Sequence, residues 1–336
     1  MMEGGGVMSF RALVTHKGAD GKIASAIAEL DEAELPEGNV LVGIDWAGFN
    51  YKDGMALSGI GGLVREYPHI GGVDFAGRVI ESTDERYHPG QAVVLTGWRV
   101  GEWHWGGFAT RARVNADWLV PLPKEISTRD AMVLGTAGLT AMLAVNRLKS
   151  EDIKPSGGDI LVTGAGGGVG SMAVLLLARL GYKVHAMTGR ADLAEDLKAL
   201  GATEVVGREV LALSGKKLLA TRWAGAVDSV GGAPLGELLK QIHAGGCVAA
   251  VGLAAGDAWD ASVIPFILRG VTLAGIDSVM QPFEARMAAW DRLSTLFGFG
   301  VYERMVREVG LADLPDVSKD ILAGKVRGRV IVSPKR

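Results

Sequence analysis

Ile160-Leu161-Val162-Thr163-Gly164-Ala165-Gly166-Gly167-Gly168-Val169-Gly170 runs from a short aliphatic stretch through a glycine turn into the apolar run Met172 to Leu180. That order predicts a strand, a tight turn and a helix start. Val169, Ala173, Leu176 and Leu180 recur at helical spacing, and Gly181 stands where a left-handed residue would close the helix. A second strand pattern, Lys183 to Met187, follows at once. Strand, helix and strand in this order form a right-handed parallel crossover.

The spacing of Ala165, Gly167 and Gly170 gives this crossover a chemistry. The first small residue makes the turn, the second admits a pyrophosphate to the backbone, and the third lets helix and strand approach closely. A helix N-terminus offers unpaired N–H donors and the positive end of its dipole, so a diphosphate needs no dedicated lysine there. In a chain with 49 glycines among 336 residues the bare spacing is weak, and it is the flanking strand and helix that select it. Ala165, Gly166, Gly167, Gly168, Val169 and Gly170 are therefore predicted to cradle a dinucleotide. The second strand ends in Thr188-Gly189-Arg190, where an NAD site would place an acid for the ribose hydroxyls. Arg190 can pair with a 2′-phosphate, Thr188 can donate its hydroxyl, and Arg208, after a third strand Glu204 to Val206, can reach the same corner. NADPH is the expected cofactor. The competing reading has Arg190 merely solvating a helix start, where a cation opposes the dipole.

The remaining composition narrows the function. With 35 Lys+Arg against 38 Asp+Glu the net charge is −3, and no basic block marks a nucleic-acid surface. Hydrophobic residues make up 48%, yet the longest apolar segment in this reading, Met172 to Ala178, stops at Arg179, short of the roughly 20 residues a bilayer requires. No secretory pattern opens the chain; Met1 to Val7 reads as an extension before a start at Met8, and the cytoplasm is the expected compartment. Cys247 is the only cysteine, which excludes an intrachain disulfide and a structural zinc site of several thiolates, and its strand-like surroundings predict a buried thiol.

Two domains fit this length. The first 125 or so residues carry short β-patterned runs, among them Val40 to Trp46, Gly77 to Glu81 and Gln91 to Thr96. From Ala131 the pattern changes to a helix ending near Leu148, then alternating strands and helices, with strands at Ala226 to Ser229 and Cys247 to Gly252 and a helix Leu235 to His243 between them. The tail holds one helical pattern and a closing strand, Arg329 to Val332, expected to return to the first domain. The predicted fold is α/β: a Rossmann doubly wound parallel sheet over 129–281, and a β-rich domain over 8–128 completed by 282–336. A strand at Val271 to Gly275 could pair across a two-fold axis in a homodimer.

Three stretches, Pro68-His69-Ile70-Gly71-Gly72-Val73-Asp74-Phe75-Ala76-Gly77-Arg78-Val79, the glycine turn, and Val227-Asp228-Ser229-Val230-Gly231-Gly232, give the chain from Met8 onward a clear likeness. It resembles the medium-chain dehydrogenase/reductase superfamily on its zinc-independent, quinone oxidoreductase-like side. Asn50-Tyr51-Lys52-Asp53, Gly97-Trp98-Arg99-Val100-Gly101 running to His104-Trp105-Gly106-Gly107-Phe108-Ala109, and Pro265-Phe266-Ile267-Leu268-Arg269 resemble its acrylyl-CoA reductase branch. The resemblance implies a GroES-like β-rich domain, NADPH dependence, a dimer, an acyl-CoA substrate, and further cofactor contacts at Leu253, Ile267 and Ser278. The Gly-His-Glu ligand motif of the zinc alcohol dehydrogenases corresponds here to Gly72-Val73-Asp74, and no cysteine lies in the first domain. Without His and thiolate at metal spacing, no metal site is expected.

Hydride transfer to the β-carbon of a conjugated thioester requires that the enolate be stabilised and the α-carbon protonated. Tyr51, which the resemblance places in the active cleft, is the first candidate to supply a proton or hold the nicotinamide carboxamide; Asn50 and Lys52 would shape its loop, and Asp53 would fix Lys52 or a backbone amide. A core-edge tyrosine is the alternative reading. Trp98, Arg99, Trp105 and Phe108, with Trp103 and His104 among them, are expected to wall an acyl pocket, the four interrupting glycines arguing against plain core packing. Arg65, Arg99, Arg286 and Arg304 are candidates to hold the CoA phosphates. Rival readings are a quinone or enone reductase on the same fold and a non-catalytic NADPH-binding sensor.

Overall fold

A computed structural model describes residues 8–336, so the Met1 to Val7 extension lies outside the described residues. The chain divides into two compact units, one of 1–136 with Val279–Trp290 and Val306–Arg336, the other of Ala137–Ser278 with Asp291–Met305.

The second unit is built on six strands in the order Glu204–Val206, Val184–Met187, Ile160–Val162, Trp223–Asp228, Ile242–Ala250, Thr272–Gly275. Every neighbouring pair is parallel. Starting from Ile160–Val162 the chain winds one way and then the other, which is the doubly wound Rossmann order. Strands buried on both faces read as aliphatic runs, and Ile160, Leu161, Val162, Ala226 and Val248 are fully buried. Cys247 is buried in the same sheet, and burial pushes its thiol up to about 11, so it is inert. The predicted helix Leu235 to His243 is shorter and earlier, Gly232–Leu239, because Ile242 and His243 already belong to the next strand, whose Ile242 is buried against Trp223.

The first unit is β-rich. A seven-stranded sheet runs Val306–Gly310, Arg329–Ser333, Val40–Phe49, Asp74–Ser82, Ala92–Thr96, Leu119–Pro121, with Arg111–Val114 also pairing Val40–Phe49. The closing strand returns as expected, Val330 opposite Phe49. A three-stranded sheet of Ile23–Asp31, Ser9–Lys17 and His69–Ile70 packs its buried face into the same core of Phe10, Leu13, Phe49, Phe75 and Phe108.

Two sequence expectations change. The tail carries two main helices, Phe283–Leu296 and Leu314–Leu322. Asp291–Met305 goes with the Rossmann unit and not with the β-rich one, since Tyr302 Oη shares a 2.7 Å hydrogen bond with Ser171 Oγ, Arg292 bonds Asn146, and Arg304 pairs with Asp196. The second is that Met172 to Ala178 is the longest apolar segment: the helix Thr128–Ser150 is by length and composition long and apolar enough to cross a bilayer. It is a core helix: 78% of its apolar window is buried inside the protein.

Candidate functional site

In the Rossmann unit the site is made of backbone. Gly167 caps the helix Gly168–Arg179, and the N–H groups of Gly168, Val169 and Gly170 bond no preceding carbonyl among the described residues. These are the donors a phosphate takes. Gly170 has a geometric reason: a Cβ there would stand 2.4 Å from the Gly164 carbonyl oxygen, so only glycine lets the helix start this close to the strand. At the end of the next strand an open cavity of about 640 Å³ is lined by Thr188, Gly189, Lys198, Thr203 and Arg208, with Glu204 and Glu209 on its wall. Arg208 lies across Gly189, its Nε 2.5 Å from where a Cβ would be. Arg190 is turned back to the glycine turn, donating from Nη2 to the Gly166 carbonyl at 2.8 Å. Arg208 and Lys198, the latter not singled out in the sequence, are thus the cations that line the cavity. The turn, with Arg208 and Lys198 on the cavity at the next strand end, fits a dinucleotide with a 2′-phosphate.

Leu253 and Ser278 follow the carboxyl ends of Ile242–Ala250 and Thr272–Gly275, and Ile267 sits on the helix Ile264–Arg269. Leu253 and Ile267 are exposed, while Ser278 is buried and accepts from Thr140 Oγ1 at 2.8 Å. Asp228 ties two strand ends together, accepting from Thr163 Oγ1 at 2.6 Å and from Gly231 N at 2.9 Å; burial raises its pKa.

In the β-rich unit the site is made of side chains. Tyr51 opens the helix Tyr51–Leu57 and is half exposed. Its turn is fixed by a capping box: Asn50 N donates to Asp53 Oδ2 at 2.7 Å, and Asp53 Oδ1 accepts from Val73 N at 3.0 Å. Asp53 therefore holds backbone amides and not Lys52, and, being fully buried, it positions the Tyr51 turn without facing a ligand. Burial first, and the charge of Asp74 second, push its carboxyl up to about 7 against those N–H donors.

Asn50 continues inward. Its Nδ2 donates to Asp74 Oδ2 at 2.9 Å, and its Oδ1 accepts from Arg329 Nη1 at 2.7 Å. Asp74 also accepts from Thr136 N at 2.7 Å, and Arg329 donates from Nε to the Val133 carbonyl at 3.0 Å. Asp74 and Arg329 are both buried, their charged atoms 3.6 Å apart. The set closes on Gly135, whose φ of 51° breaks the helix, and where a Cβ would meet Asp74 Oδ2 at 2.5 Å. At Gly72-Val73-Asp74, which the resemblance sets against the ligand motif of zinc dehydrogenases, the acid is in an internal ion pair with Arg329. No group of three or more His, Cys, Asp or Glu side chains that could hold a metal occurs among the described residues.

The loop after Thr96 departs from the expected pocket. Phe108 is fully buried and stacks on Phe49 at 5.7 Å, so it belongs to the core and lines no pocket. Trp105 is half buried against the same core, and His104 is held by the Arg113 carbonyl at 2.8 Å. Trp98 and Arg99 both take left-handed backbone, φ 55° and 59°, a strain of order 1–3 kcal/mol each that tends to persist at functional sites. Arg286 cannot serve CoA phosphates: it is buried, donating to the carbonyls of Thr96, Val279 and Gln281, with Trp98 stacked on its guanidinium at 4.9 Å.

These two halves are matched elsewhere as a pair. Residues 36–124 match the alcohol dehydrogenase GroES-like domain and residues 168–294 match the zinc-binding dehydrogenase domain. The chain is 53% identical to the acrylyl-CoA reductase AcuI of Ruegeria pomeroyi, over 96% of its own length and 98% of that protein. The YhdH oxidoreductase of Salmonella enterica, solved in complex with NADP, superposes with a TM-score of 0.94 at 48% identity, covering 96% of this chain and 99% of that one. The YhfP protein of Bacillus subtilis, solved with NAD bound, superposes at 0.93 with 46% identity, covering 97% and 99%. A Rossmann unit and a GroES-like unit in one chain define a medium-chain dehydrogenase/reductase. The chain belongs to that superfamily's zinc-independent, quinone oxidoreductase-like side, in the acrylyl-CoA reductase branch.

Proposed function

We propose that the protein is an enzyme that uses NADPH to reduce the carbon–carbon double bond of an α,β-unsaturated acyl-CoA, converting acrylyl-CoA to propanoyl-CoA. The observation that carries this is the 53% identity, over 96% of the chain, with the acrylyl-CoA reductase of Ruegeria pomeroyi. NADPH, when bound, supplies the hydride for the β-carbon. The Rossmann unit binds it: Gly168, Val169 and Gly170 N–H groups take the pyrophosphate, and Arg208, with Arg190 and Thr188, takes the 2′-phosphate. The β-rich unit supplies Tyr51, whose Oη we assign to hold and donate the proton for the α-carbon, in an orientation set by Asn50 and Asp53. Trp98, Arg99 and Trp105 remain as the walls for the acyl group.

The domain roles follow the same division, a GroES-like substrate domain and an NADPH domain. A homodimer through the edge strand Thr272–Gly275 is part of the proposal, supported by its open side and by exposed Val263, Ile267 and Leu268 in the same unit. So is a cytoplasmic place of action on a small molecule, without membrane or nucleic acid. Light scattering on the purified protein checks the dimer.

NADPH oxidation with acrylyl-CoA and a simple quinone side by side, NADH as control, tests the function. Preference for acrylyl-CoA with NADPH is expected; turnover of the quinone alone would leave a quinone reductase. Tyr51→Phe should lower kcat with acrylyl-CoA by about 100-fold, the usual worth of a general acid, without shifting Tm. An unchanged kcat removes the phenol from proton transfer.

A further inference from the structure

Five residues, Lys52, Arg65, Arg99, Glu102 and Trp103, form one assembly in the β-rich unit. Glu102 is almost wholly buried, yet both of its oxygens are engaged by cations, Oε1 by Lys52 Nζ at 2.9 Å and Oε2 by Arg99 Nη1 at 3.2 Å. Its neighbour Trp103 is half exposed, and two guanidinium groups stack on its indole, Arg65 with Cζ 3.5 Å and Arg99 with Cζ 4.5 Å from the ring centroid. Two cations thus share the carboxylate, and a third, Arg65, is held on the indole beside it. Arg65 makes no ion pair among the described residues, and Lys52 and Arg99 keep about two fifths of their side chains exposed.

The loop that carries the assembly is held rigidly. Trp103 N and Glu102 N both donate to the Arg99 carbonyl, at 2.9 and 3.1 Å, and Gly101 N donates to His104 O at 2.8 Å. Arg99 sits in left-handed backbone. A buried acid that fixes the stems of two cations, and an aromatic plate that aligns the forks of two arginines, leave outward N–H donors already oriented. That lowers the ordering cost of capturing an anion, and a guanidinium fork matches phosphate oxygens. Cation–π stacking alone would need only one arginine.

We infer that Arg65, Arg99 and Lys52, organised by Glu102 and Trp103, form a clamp for the phosphates of the CoA moiety. The inference rests on the acyl-CoA reading, and it assigns the part of the substrate that is remote from the reacting bond. Lys52 directly follows Tyr51, so binding energy gained at the clamp bears on the turn that carries the proposed proton donor.

The experiment compares acrylyl-CoA, its 3′-dephospho form and the acrylyl thioester of pantetheine, which has no nucleotide, in wild type, Arg65→Gln and Arg99→Gln. The ratio of KM for the pantetheine thioester to KM for acrylyl-CoA should fall at least 10-fold in each variant. The 3′-dephospho thioester shows whether the 3′-phosphate or the pyrophosphate is the group held. A ratio equal to wild type in both variants overturns the clamp, as does a loss shared equally by all three thioesters.

A binding measurement separates this from the catalytic reading. Calorimetric titration of adenosine 3′,5′-bisphosphate into the NADPH-saturated protein should give binding that weakens at least 10-fold in Arg65→Gln. If acrylyl-CoA is not reduced but this binding and its loss are observed, the function fails and the clamp stands. Failure of the bisphosphate to bind, with acrylyl-CoA turned over, overturns the clamp alone.

Discussion

The two candidate sites, one in each unit, are built from different materials. In the Rossmann unit, eleven consecutive residues, Ile160 to Gly170, bring their own strand, turn and N–H donors, and side chains matter mainly by being absent. In the β-rich unit, Asn50, Asp53, Asp74, Thr136 and Arg329 have to be gathered from across the chain before Tyr51 is held at all. A backbone site tolerates changes around it but no added atom within it. A side-chain site of this kind does not tolerate the loss of one charge.

Asp74→Ala should give the largest effect. It leaves the Arg329 guanidinium buried and unpaired, a loss of about 3–5 kcal/mol, read as a drop in the denaturant midpoint. Adding Arg329→Met to that variant should recover part of the loss, because no buried charge is then left alone. If the single variant costs nothing, the ion pair is not what organises the side-chain half.

Gly170→Val breaks the other half by addition. Overpacking where a Cβ would be 2.4 Å from Gly164 O should weaken NADPH binding by about 1–3 kcal/mol or more, measured by fluorescence titration. Wild-type affinity in this variant would mean the helix start can move away from the strand.

Arg208→Gln is smaller and selective. Losing a charge-assisted contact should lower the preference for NADPH over NADH about 10-fold, roughly 1.4 kcal/mol, and leave NADH affinity near its starting value. A 10-fold loss for both cofactors would make Arg208 a structural residue. The same measurement on Arg190→Gln decides whether the arginine turned back to Gly166 shares the task.

The subtlest expectation concerns Asp53. Its carboxyl titrates at about 7 in the folded protein against 3.8 as the ordinary value, so between those pH values the native protein keeps a proton the unfolded chain has released. Its contribution to stability is complete below about pH 4 and is lost as pH rises through 7. The Tm of wild type minus that of Asp53→Asn should fall between pH 5 and pH 7.5. A difference that rises with pH would show the carboxylate to be the favoured form there.

How much was legible beforehand follows from the same contrast. The parallel sheet and its glycine turn could be read from neighbouring residues, since spacing along the chain sets them. Lys198 was missed because it reaches the cavity lined by Thr188 and Arg208 from a helix ten residues further on. Arg329 was missed because 255 residues separate it from Asp74, and only its strand's pairing with Val40–Phe49 brings them together. Phe108 misled for the opposite reason. An aromatic among glycines suggests a loop that faces a ligand, but Gly106 and Gly107 are there for close backbone approach, and the ring between them and the sheet goes to the core.

One feature of the Rossmann sheet has an experimental use. Cys247 is the only thiol of the chain and is fully buried in a central strand. Alkylation must wait for that strand to open, so its rate is a clock for the opening of this unit alone. Any ligand that binds only the closed sheet slows the clock by a factor of one plus its concentration over Kd. The protein therefore carries a label-free gauge of cofactor affinity that works without turnover and reports nothing from the β-rich unit, where no cysteine exists.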